Sequence, residues 1–393
     1  MVGSVRRGWL SVALVVGTVV ALAAPAGAAS SFTAVPTPNP GTNNSIDGLV
    51  AFSGTEVWGV GNASSSSYTG CHGRTLAARW NGSAFVEVPT TPTAMCAAVN
   101  GVGGSSTSDI WAVGSTNSAR DTHIRHWNGS TWSVVAGATI PLPPSGGRRL
   151  RTTSLNAVRS LSATNAWAVG KAQFADFSRN ALVERWNGSS WSLSSLATPV
   201  GSELNGIAAV NASDIWAVGN GGASGAATLA TLAVHWNGSS WSRVATPNTN
   251  TLNTLRGVAA VASNNVWAVG DSLRSGTDGV SVSRTLIERW NGTAWSVVPS
   301  PNVGSGNNSL AAIAARAAND IWAVGFYDDV TGSIPLRRTL VEHWNGSTWS
   351  VVPSANPGTG DNWLRSVVAP AGTTQVFASG TSAAGTLVER FAG

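Results

Sequence analysis

Two neighbouring stretches of the chain combine aromatic rings, carboxylates and an amide, which are groups that bind sugars or Ca²⁺. Residues 326–329 read Phe-Tyr-Asp-Asp, and residues 361–363 read Asp-Asn-Trp. An aromatic ring stacks on a sugar face, while carboxylate and amide oxygens accept hydrogen bonds or coordinate a cation. Loop packing and solvated charge are the alternative explanation. The candidate ligand-binding residues are Tyr327, Asp328, Asp329, Asp361 and Trp363.

The same carboxylates support a second hypothesis, an extracellular carbohydrate-active hydrolase or lyase. A glycosidase needs two carboxyl groups separated by roughly 5 Å or 6.5–9.5 Å, and Asp328, Asp329 and Asp361 are the candidates. His72 and His123 are the two histidines that could serve a lyase, since the other three occupy repeated positions. We favour a non-catalytic binding module without a cofactor, and nothing further in the sequence supports Ca²⁺.

Cys71 and Cys96 are the two cysteines of the chain, and we expect them to form a disulfide. A Cys/His metal site is the alternative. It is disfavoured because His72 is the one histidine nearby and no Cys-x-x-Cys spacing occurs. A lone disulfide is typical of an oxidising compartment.

The N-terminus has the features of a secretory signal peptide. Arg6 and Arg7 precede an apolar run, Leu10–Ala24, and small residues at 26–28 suit cleavage. We therefore predict a signal peptide over 1–28 and one mature domain over 29–393, secreted as a monomer. The apolar run is too short to span a membrane. Charged residues make up 10% of the chain, and without a Lys/Arg run nucleic-acid binding is not expected.

A repeat of about fifty residues organises the mature chain. The phrase Trp-Ala-Val-Gly or a close variant recurs at steps of 49 to 56 residues, and an Asn-Gly phrase flanked by aromatic residues follows each of the first six copies. Asn-Gly predicts a two-residue type I′ hairpin with both residues at positive φ. The phrase begins at Trp58, Trp111, Trp167, Trp216, Trp267, Trp322 and Phe377.

Each repeat predicts four antiparallel strands, which in the fourth copy are 204–210, 215–219, 231–236 and 241–245. Repeats of this length and content are typical of β-propeller blades. The segment that begins at Phe32 resembles a fourth strand, whereas the last copy ends at Phe391-Ala392-Gly393 without one. We predict an all-β, seven-bladed propeller whose N-terminal strand completes the last blade, thereby hiding a sheet edge.

The order of segments resembles that of kelch and galactose-oxidase-like propellers. Residues 255–261, 266–270, 286–290 and 295–299 follow the family's apolar, Gly-ended, third and Trp-to-Pro strands. Tectonin-like bacterial propellers are a similar alternative. The chain departs from kelch repeats where Asp271 and Asn220 replace the second glycine of a doublet. A copper radical site of the galactose-oxidase type is not expected, because only Tyr68 and Tyr327 are present and both cysteines are assigned to a disulfide.

Two repeated polar positions vary together. The residue before each third-strand aromatic is His or Arg, and the residue two before each Trp-Ala-Val-Gly phrase is an acceptor that is Asp whenever its partner is His. Co-variation suggests contact, so we predict a structural hydrogen bond in every repeat. The three Asp–His pairs are Asp109 with His126, Asp214 with His235, and Asp320 with His343. The Arg pairs are Glu56 with Arg79, Asn165 with Arg185, Asn265 with Arg289, and Gln375 with Arg390.

The repeated tryptophans are expected to pack between blades rather than to bind sugar. The connections between second and third strands and between successive repeats vary in length, whereas the other turns are short and uniform. Variable loops on a rigid scaffold are the usual place for binding. We therefore place the ligand site, for a glycan or an extracellular protein, on the face that carries the variable connections, here called the long-loop face.

Overall fold

The computed structural model describes residues 31–64, 73–91, 97–116, 118, 120–141, 149–222, 228–275 and 281–393. The predicted signal peptide, His72 and the predicted disulfide partners Cys71 and Cys96 lie outside these ranges. Within them the chain is all-β, with 28 strands and no helix. The strands that begin the repeats alternate between buried and less buried positions, whereas those that carry the Trp-Ala-Val-Gly phrase are buried on both faces.

The strands form groups of four that follow the sequence repeats. A first short strand, β1 (Thr33–Ala34), precedes them. The first group is β2 (Asn43–Ala51), β3 (Val57–Ser64), β4 (Gly73–Trp80) and β5 (Phe85–Val88). The second is β6 (Ala97–Ser106), β7 (Asp109–Thr116), β8 (Thr122–Trp127) and β9 (Trp132–Val135). The third is β10 (Leu150–Ser162), β11 (Asn165–Phe174), β12 (Arg179–Trp186) and β13 (Trp191–Leu193). The fourth is β14 (Glu203–Asn211), β15 (Asp214–Gly221), β16 (Ala230–Trp236) and β17 (Trp241–Val244).

Three further groups complete the chain. The fifth is β18 (Leu252–Ala262), β19 (Asn265–Ser275), β20 (Ser281–Trp290) and β21 (Trp295–Val297). The sixth is β22 (Asn308–Ala317), β23 (Asp320–Asp329), β24 (Leu336–Trp344) and β25 (Trp349–Val351). The last is β26 (Asn362–Val368), β27 (Val376–Ser382) and β28 (Gly385–Phe391). The four strands predicted around Trp216 are present, with bounds that differ by at most two residues.

Neighbouring strands within each group pair in antiparallel fashion and in chain order. The second and third groups share one eight-stranded sheet through a single pairing of Ser154 with Ser115. In the last group β1 takes the fourth place, because Thr33 pairs with Arg390 and Ala34 with Glu389. The first and last strands of the described chain therefore belong to one sheet.

The prediction of a type I′ turn at each Asn-Gly phrase was wrong. Trp236 pairs with Trp241, so the loop between them holds four residues rather than two. Gly238 has φ 97°, but Asn237 is not at positive φ. Its side-chain Oδ1 instead accepts hydrogen bonds from the backbone N–H groups of Ser239 and Ser240, both at 3.0 Å. Asparagine is therefore selected here for its side-chain acceptor, and glycine alone for its backbone freedom.

The core lies between adjacent groups and is rich in aromatic residues. Trp216 on β15 is 1% exposed, and its ring centroid lies 5.0 Å from that of Trp290 and 5.4 Å from that of Trp295, both in the next group. The last group contacts the first in the same way, since Phe377 lies 5.3 Å from Trp80 and 6.2 Å from Phe85. Aromatic burial of this kind supplies the main apolar contacts between successive sheets.

Candidate functional site

The structure separates the predicted ligand residues onto two sides of one sheet. Tyr327 and Asp328 are consecutive on β23, so their side chains point to opposite faces. Tyr327 packs against the core cluster between the fifth and sixth groups and is only partly accessible. Asp328 lies on the same side as Phe326 and faces the last group. Tyr327 therefore lies on the core side of the sheet, on the face opposite to Asp328.

Phe326, Arg337, Trp363 and Arg365 form a cluster of alternating rings and cations, here called the Trp363 cluster. The Arg337 guanidinium carbon lies 4.5 Å from the ring centroid of Phe326 and 5.7 Å from that of Trp363. The guanidinium of Arg365 lies 5.6 Å from the same Trp363 centroid. These distances are those of cation–π contacts. Trp363, half-buried rather than fully exposed, thus has two cations beside it.

The three predicted aspartates are each engaged by neighbouring groups. The Oδ1 atom of Asp361 accepts a hydrogen bond from the backbone N–H of Arg337 at 2.9 Å. The Oδ2 atom of Asp328 accepts one from Asn307 at 2.8 Å. Hydrogen bonds from the hydroxyl and backbone of Thr331 lower the pKa of Asp329.

The lyase candidate His123 is enclosed by protein. It is 2% exposed, and its Nε2 atom accepts a hydrogen bond from Arg125 at 3.2 Å. Burial, with the charge of Arg125, lowers the pKa of His123 to about 4. The imidazole is therefore neutral near pH 7 and its acceptor atom is occupied.

On the long-loop face, three arginines are more exposed than the aspartates with which they pair. Arg337 pairs with Asp328 (Nε–Oδ1 3.7 Å), Arg365 with Asp47 (3.4 Å) and Arg256 with Asp271 (2.8 Å). The arginine side chains are 45–47% exposed, whereas the aspartates are only 8–18% exposed. The cation of each pair is the group that a partner meets first. We call Arg256, Arg337 and Arg365 the arginine rim.

A central channel opens beside this rim. Its volume is about 350 Å³, and its walls are the first strands of all the groups, β2, β6, β10, β14, β18, β22 and β26. Asparagines near the mouth tie successive strands together through their side-chain amides. Asn100 donates to the carbonyl of Leu155 at 3.0 Å, and Asn205 donates to that of Leu255 at 2.9 Å. These bonds fix the channel walls.

No protein-family model matches the sequence, and no curated protein matches it. Two solved structures are similar over most of their length. "YCF48 bound to D1 peptide" matches with a TM-score of 0.52 and 15% identity, covering 92% of this chain and 97% of that chain. "YCF48 from Cyanidioschyzon merolae" matches with a TM-score of 0.50 and 13% identity, covering 91% and 98%. The fold is a β-propeller. Membership of the kelch class is not shown by these similarities.

The polar pairs of the propeller lie at the opposite end of the sheets. Nε2 of His126 is 2.8 Å from Oδ1 of Asp109, and the two equivalent Asp–His distances are 2.8 and 3.0 Å. The indole N–H of Trp111 also donates to Asp109, and the His126 ring stacks on that indole at 4.1 Å. Burial opposes ionisation of Asp109, but hydrogen bonds from His126 and two serines outweigh it and lower the pKa to about 2.

The predicted bonds to arginine form in two repeats out of four. Glu56 accepts from Arg79 at 2.5 Å, and Asn265 accepts from Arg289 at 3.0 Å. Asn165 does not bind Arg185, whose guanidinium lies 4.9 Å from the ring centroid of Trp167. Nor does Gln375 bind Arg390, whose guanidinium lies 5.8 Å from the Trp80 ring centroid. Arg79 and Arg289 also lie over an indole, at 5.7 Å from Trp58 and 5.1 Å from Trp267, so the contact with the ring recurs while the hydrogen bond does not, which corrects the prediction.

Four glutamates on the third strands are buried. The sequence analysis did not identify them as candidate functional residues. Each lies two residues before the aromatic of its strand and is 0% exposed. Burial raises the pKa of Glu184 to about 7 and of the other three to about 8. The recurring Glu at an inward-facing strand position was a signal that could have revealed them. The four are Glu184, Glu288, Glu342 and Glu389.

Among the described residues, no group of three or more His, Cys, Asp or Glu side chains is arranged to hold a metal ion. That same part of the chain contains no helix with the length and apolar character needed to cross a membrane. The features that remain on the long-loop face are the arginine rim, the Trp363 cluster and the channel mouth.

Proposed function

We propose that the chain is a secreted, monomeric, non-catalytic binding module that needs no cofactor and binds an acidic segment of a protein partner. The observation that carries this proposal is the arginine rim, where three exposed guanidiniums screen less exposed carboxylates. Such an arrangement attracts acidic partners and orients them before contact. One of the two similar structures contains a bound D1 peptide, which provides a precedent for a peptide ligand on this fold.

The scaffold that we propose is a closed propeller of seven blades, of kelch-like or tectonin-like type. Three contacts between the last and first groups support closure: the packing of Phe377 on Trp80, the Arg365–Asp47 ion pair, and a 2.9 Å hydrogen bond from the Leu49 backbone to Ser366. The pairing of β1 with β28 supports completion of the last blade by the N-terminal strand.

The Trp363 cluster favours a protein over a glycan as partner. Sugar binding by tryptophan requires an open ring face, but Arg337 and Arg365 both lie over Trp363. A guanidinium held on an indole keeps its N–H groups free at its edges, where they can bind a carboxylate. Glycan binding is therefore the alternative function, to be screened after peptide binding.

Secretion and the disulfide belong to the same proposal. We expect the exported protein to begin near residue 29 after removal of the signal peptide, with Cys71 joined to Cys96. N-terminal sequencing and the mass of the intact protein before and after reduction test both points.

Binding is tested with a fluorescent deca-glutamate peptide, with deca-lysine as the charge-reversed control. Wild-type protein should bind deca-glutamate, and affinity should fall as salt rises because the contact is between exposed charges. The double variant R337Q/R365Q should bind about tenfold or more weakly, a change of ~1.4 kcal/mol. Trp363→Ala should also weaken binding.

The matched control is Arg79→Gln. Arg79 is 51% exposed, pairs with Glu56 and lies over Trp58, but it stands at the end of its strand away from the arginine rim. It should leave the affinity unchanged. The proposal is wrong if deca-glutamate does not bind, or if R79Q weakens binding as much as R337Q/R365Q does.

A further inference from the structure

One arginine lines the channel at a strand position where the first strands of the other groups carry only small or aliphatic residues. Arg159 on β10 lines the cavity and pairs in register with Trp167. The residues that pair with the corresponding aromatic on the other first strands are Val50, Gly103, Ala208, Ala259, Ala314 and Val368. The repeat therefore does not require arginine at this level.

Arg159 has no partner among the described residues. No hydrogen bond or ion pair joins its guanidinium to them, and the side chain is exposed to solvent. The other charges that line the cavity are neutralised, since Arg365 pairs with Asp47 and Arg256 with Asp271. The channel thus carries one uncompensated positive charge, because a guanidinium stays protonated in proteins.

We propose that the channel is a binding site for an organic carboxylate, with Arg159 as its anchor. The planar guanidinium fork matches a carboxylate with two parallel hydrogen bonds. A single positive charge balances a monoanion, whereas a phosphate dianion would leave one negative charge unbalanced. The site lies below the arginine rim, so the inference goes beyond the proposed binding of an acidic segment there.

The size and lining of the channel suit the organic part of such a ligand. Its volume of about 350 Å³ lies at the lower end of the range for small-molecule sites, roughly 300–1,000 Å³. Val50 and Val368 are among the apolar residues that line the cavity. The carboxylate belongs either to a free small acid or to the C-terminus of a protein chain.

The test is isothermal titration calorimetry on the mature full-length protein with two matched pairs of probes. Benzoate is compared with neutral benzamide, and N-acetyl-trialanine with a free C-terminus is compared with its C-terminal amide. Binding of both acids indicates a small free acid as ligand, and binding of the peptide acid alone indicates a chain end. In either case benzamide and the peptide amide should not bind.

Arg159→Gln should weaken binding of the acid at least about tenfold, while Arg79→Gln, which changes an exposed arginine that does not line the cavity, should change it less than about threefold. If R159Q does not fold, Arg159→Lys keeps the charge without the fork and should still weaken binding. The assignment is overturned if neither acid binds, if benzamide binds as well as benzoate, if sulfate displaces benzoate at equal concentration, or if the Arg159 variant that folds binds normally. Deca-glutamate binding at the rim does not require Arg159, so either proposal can fail alone.

Discussion

Asn39 and Thr386 are 347 residues apart in the sequence, yet the backbone N–H of Thr386 donates a hydrogen bond to Oδ1 of Asn39 at 2.8 Å. The same contact occurs inside a single segment elsewhere, between Thr231 and Asn248 at 2.9 Å. The Thr386 hydroxyl also donates to Thr37 at 2.7 Å. The chain ends therefore reproduce a contact that other sheets make locally, which is how the N-terminal segment substitutes for a missing fourth strand.

The first prediction concerns Phe32, which anchors this segment. Phe32 is 2% exposed and lies edge-on to Trp322 at 5.6 Å and beside Phe391 at 5.4 Å. Phe32→Ala should lower the free energy of unfolding by about 3–5 kcal/mol, because it leaves a cavity between two sheets. Urea denaturation followed by tryptophan fluorescence measures the change. Thr33→Ala, at an exposed position of the same strand, is the control, and equal losses in the two variants would contradict the anchoring role.

The second prediction concerns Asp109 and acid stability. Because the folded pKa of about 2 lies below the ordinary 3.8, the unfolded chain binds the proton first as pH falls. The contribution of Asp109 is fully present above pH 4 and is lost as pH falls through 2, amounting to ~2 kcal/mol by linkage. Asp109→Asn should remove that amount at pH 7 and flatten the curve between pH 4 and 2. Asp121→Asn, an exposed turn residue, should leave the curve as in wild type.

The third prediction concerns Glu342 and alkaline stability. Its folded pKa of about 8 exceeds the ordinary 4.5, so the unfolded chain loses the proton first as pH rises. Protonated Glu342 therefore does not lower the free energy of unfolding below pH 4.5. As pH rises from 4.5 to 8 this free energy falls, by roughly 3 kcal/mol at pH 7. Glu342→Gln should therefore stabilise the protein at pH 8 and reduce the slope of stability against pH.

Glu342→Val is a second test of that prediction, since the fourth group already carries Val234 at the same register position, opposite Ala217 where Glu342 faces Ala323. The control is Glu87→Gln, because Glu87 is a partly exposed glutamate whose surface ion pair with Arg74 contributes little to stability. It should leave the slope as in wild type. A slope that is unchanged in both Glu342 variants would show that this carboxyl is not protonated in the folded protein.

The periodic sequence pattern determined strand order well but not the choices that side chains make between partners. Trp216 and the strands around it could be predicted because aromatic spacing and glycine positions repeat. Arg289 lies over Trp267 and also hydrogen-bonds Asn265, whereas Arg185 lies over Trp167 without bonding Asn165. Co-variation does not record the small differences in geometry that decide this. The Trp363 cluster depends on the register that places Arg337 opposite Asp328, which loop lengths alone do not fix.

The last prediction separates backbone strain from steric contact in the repeated four-residue loops. Gly82 and Gly238 occupy the same loop position with φ 102° and 97°. A Cβ atom at Gly82 would meet nothing within 4 Å, whereas at Gly238 it would lie 2.9 Å from Cβ of Ser213. Gly82→Ala should cost only the strain of a left-handed residue, ~1–2 kcal/mol. Gly238→Ala should cost about 1–3 kcal/mol more, because Ser213 must also move.

A Ser213→Gly change isolates that contact in a double-mutant cycle measured by urea denaturation. It removes the Cβ atom that the added methyl group at position 238 would meet, so it should recover the extra cost in the Gly238→Ala background while giving no benefit in the Gly82→Ala background. If the two glycine variants lose equal stability, or if Ser213→Gly recovers nothing, the turn between β14 and β15 relaxes freely. The uniform short loops would then owe their glycine to backbone conformation alone.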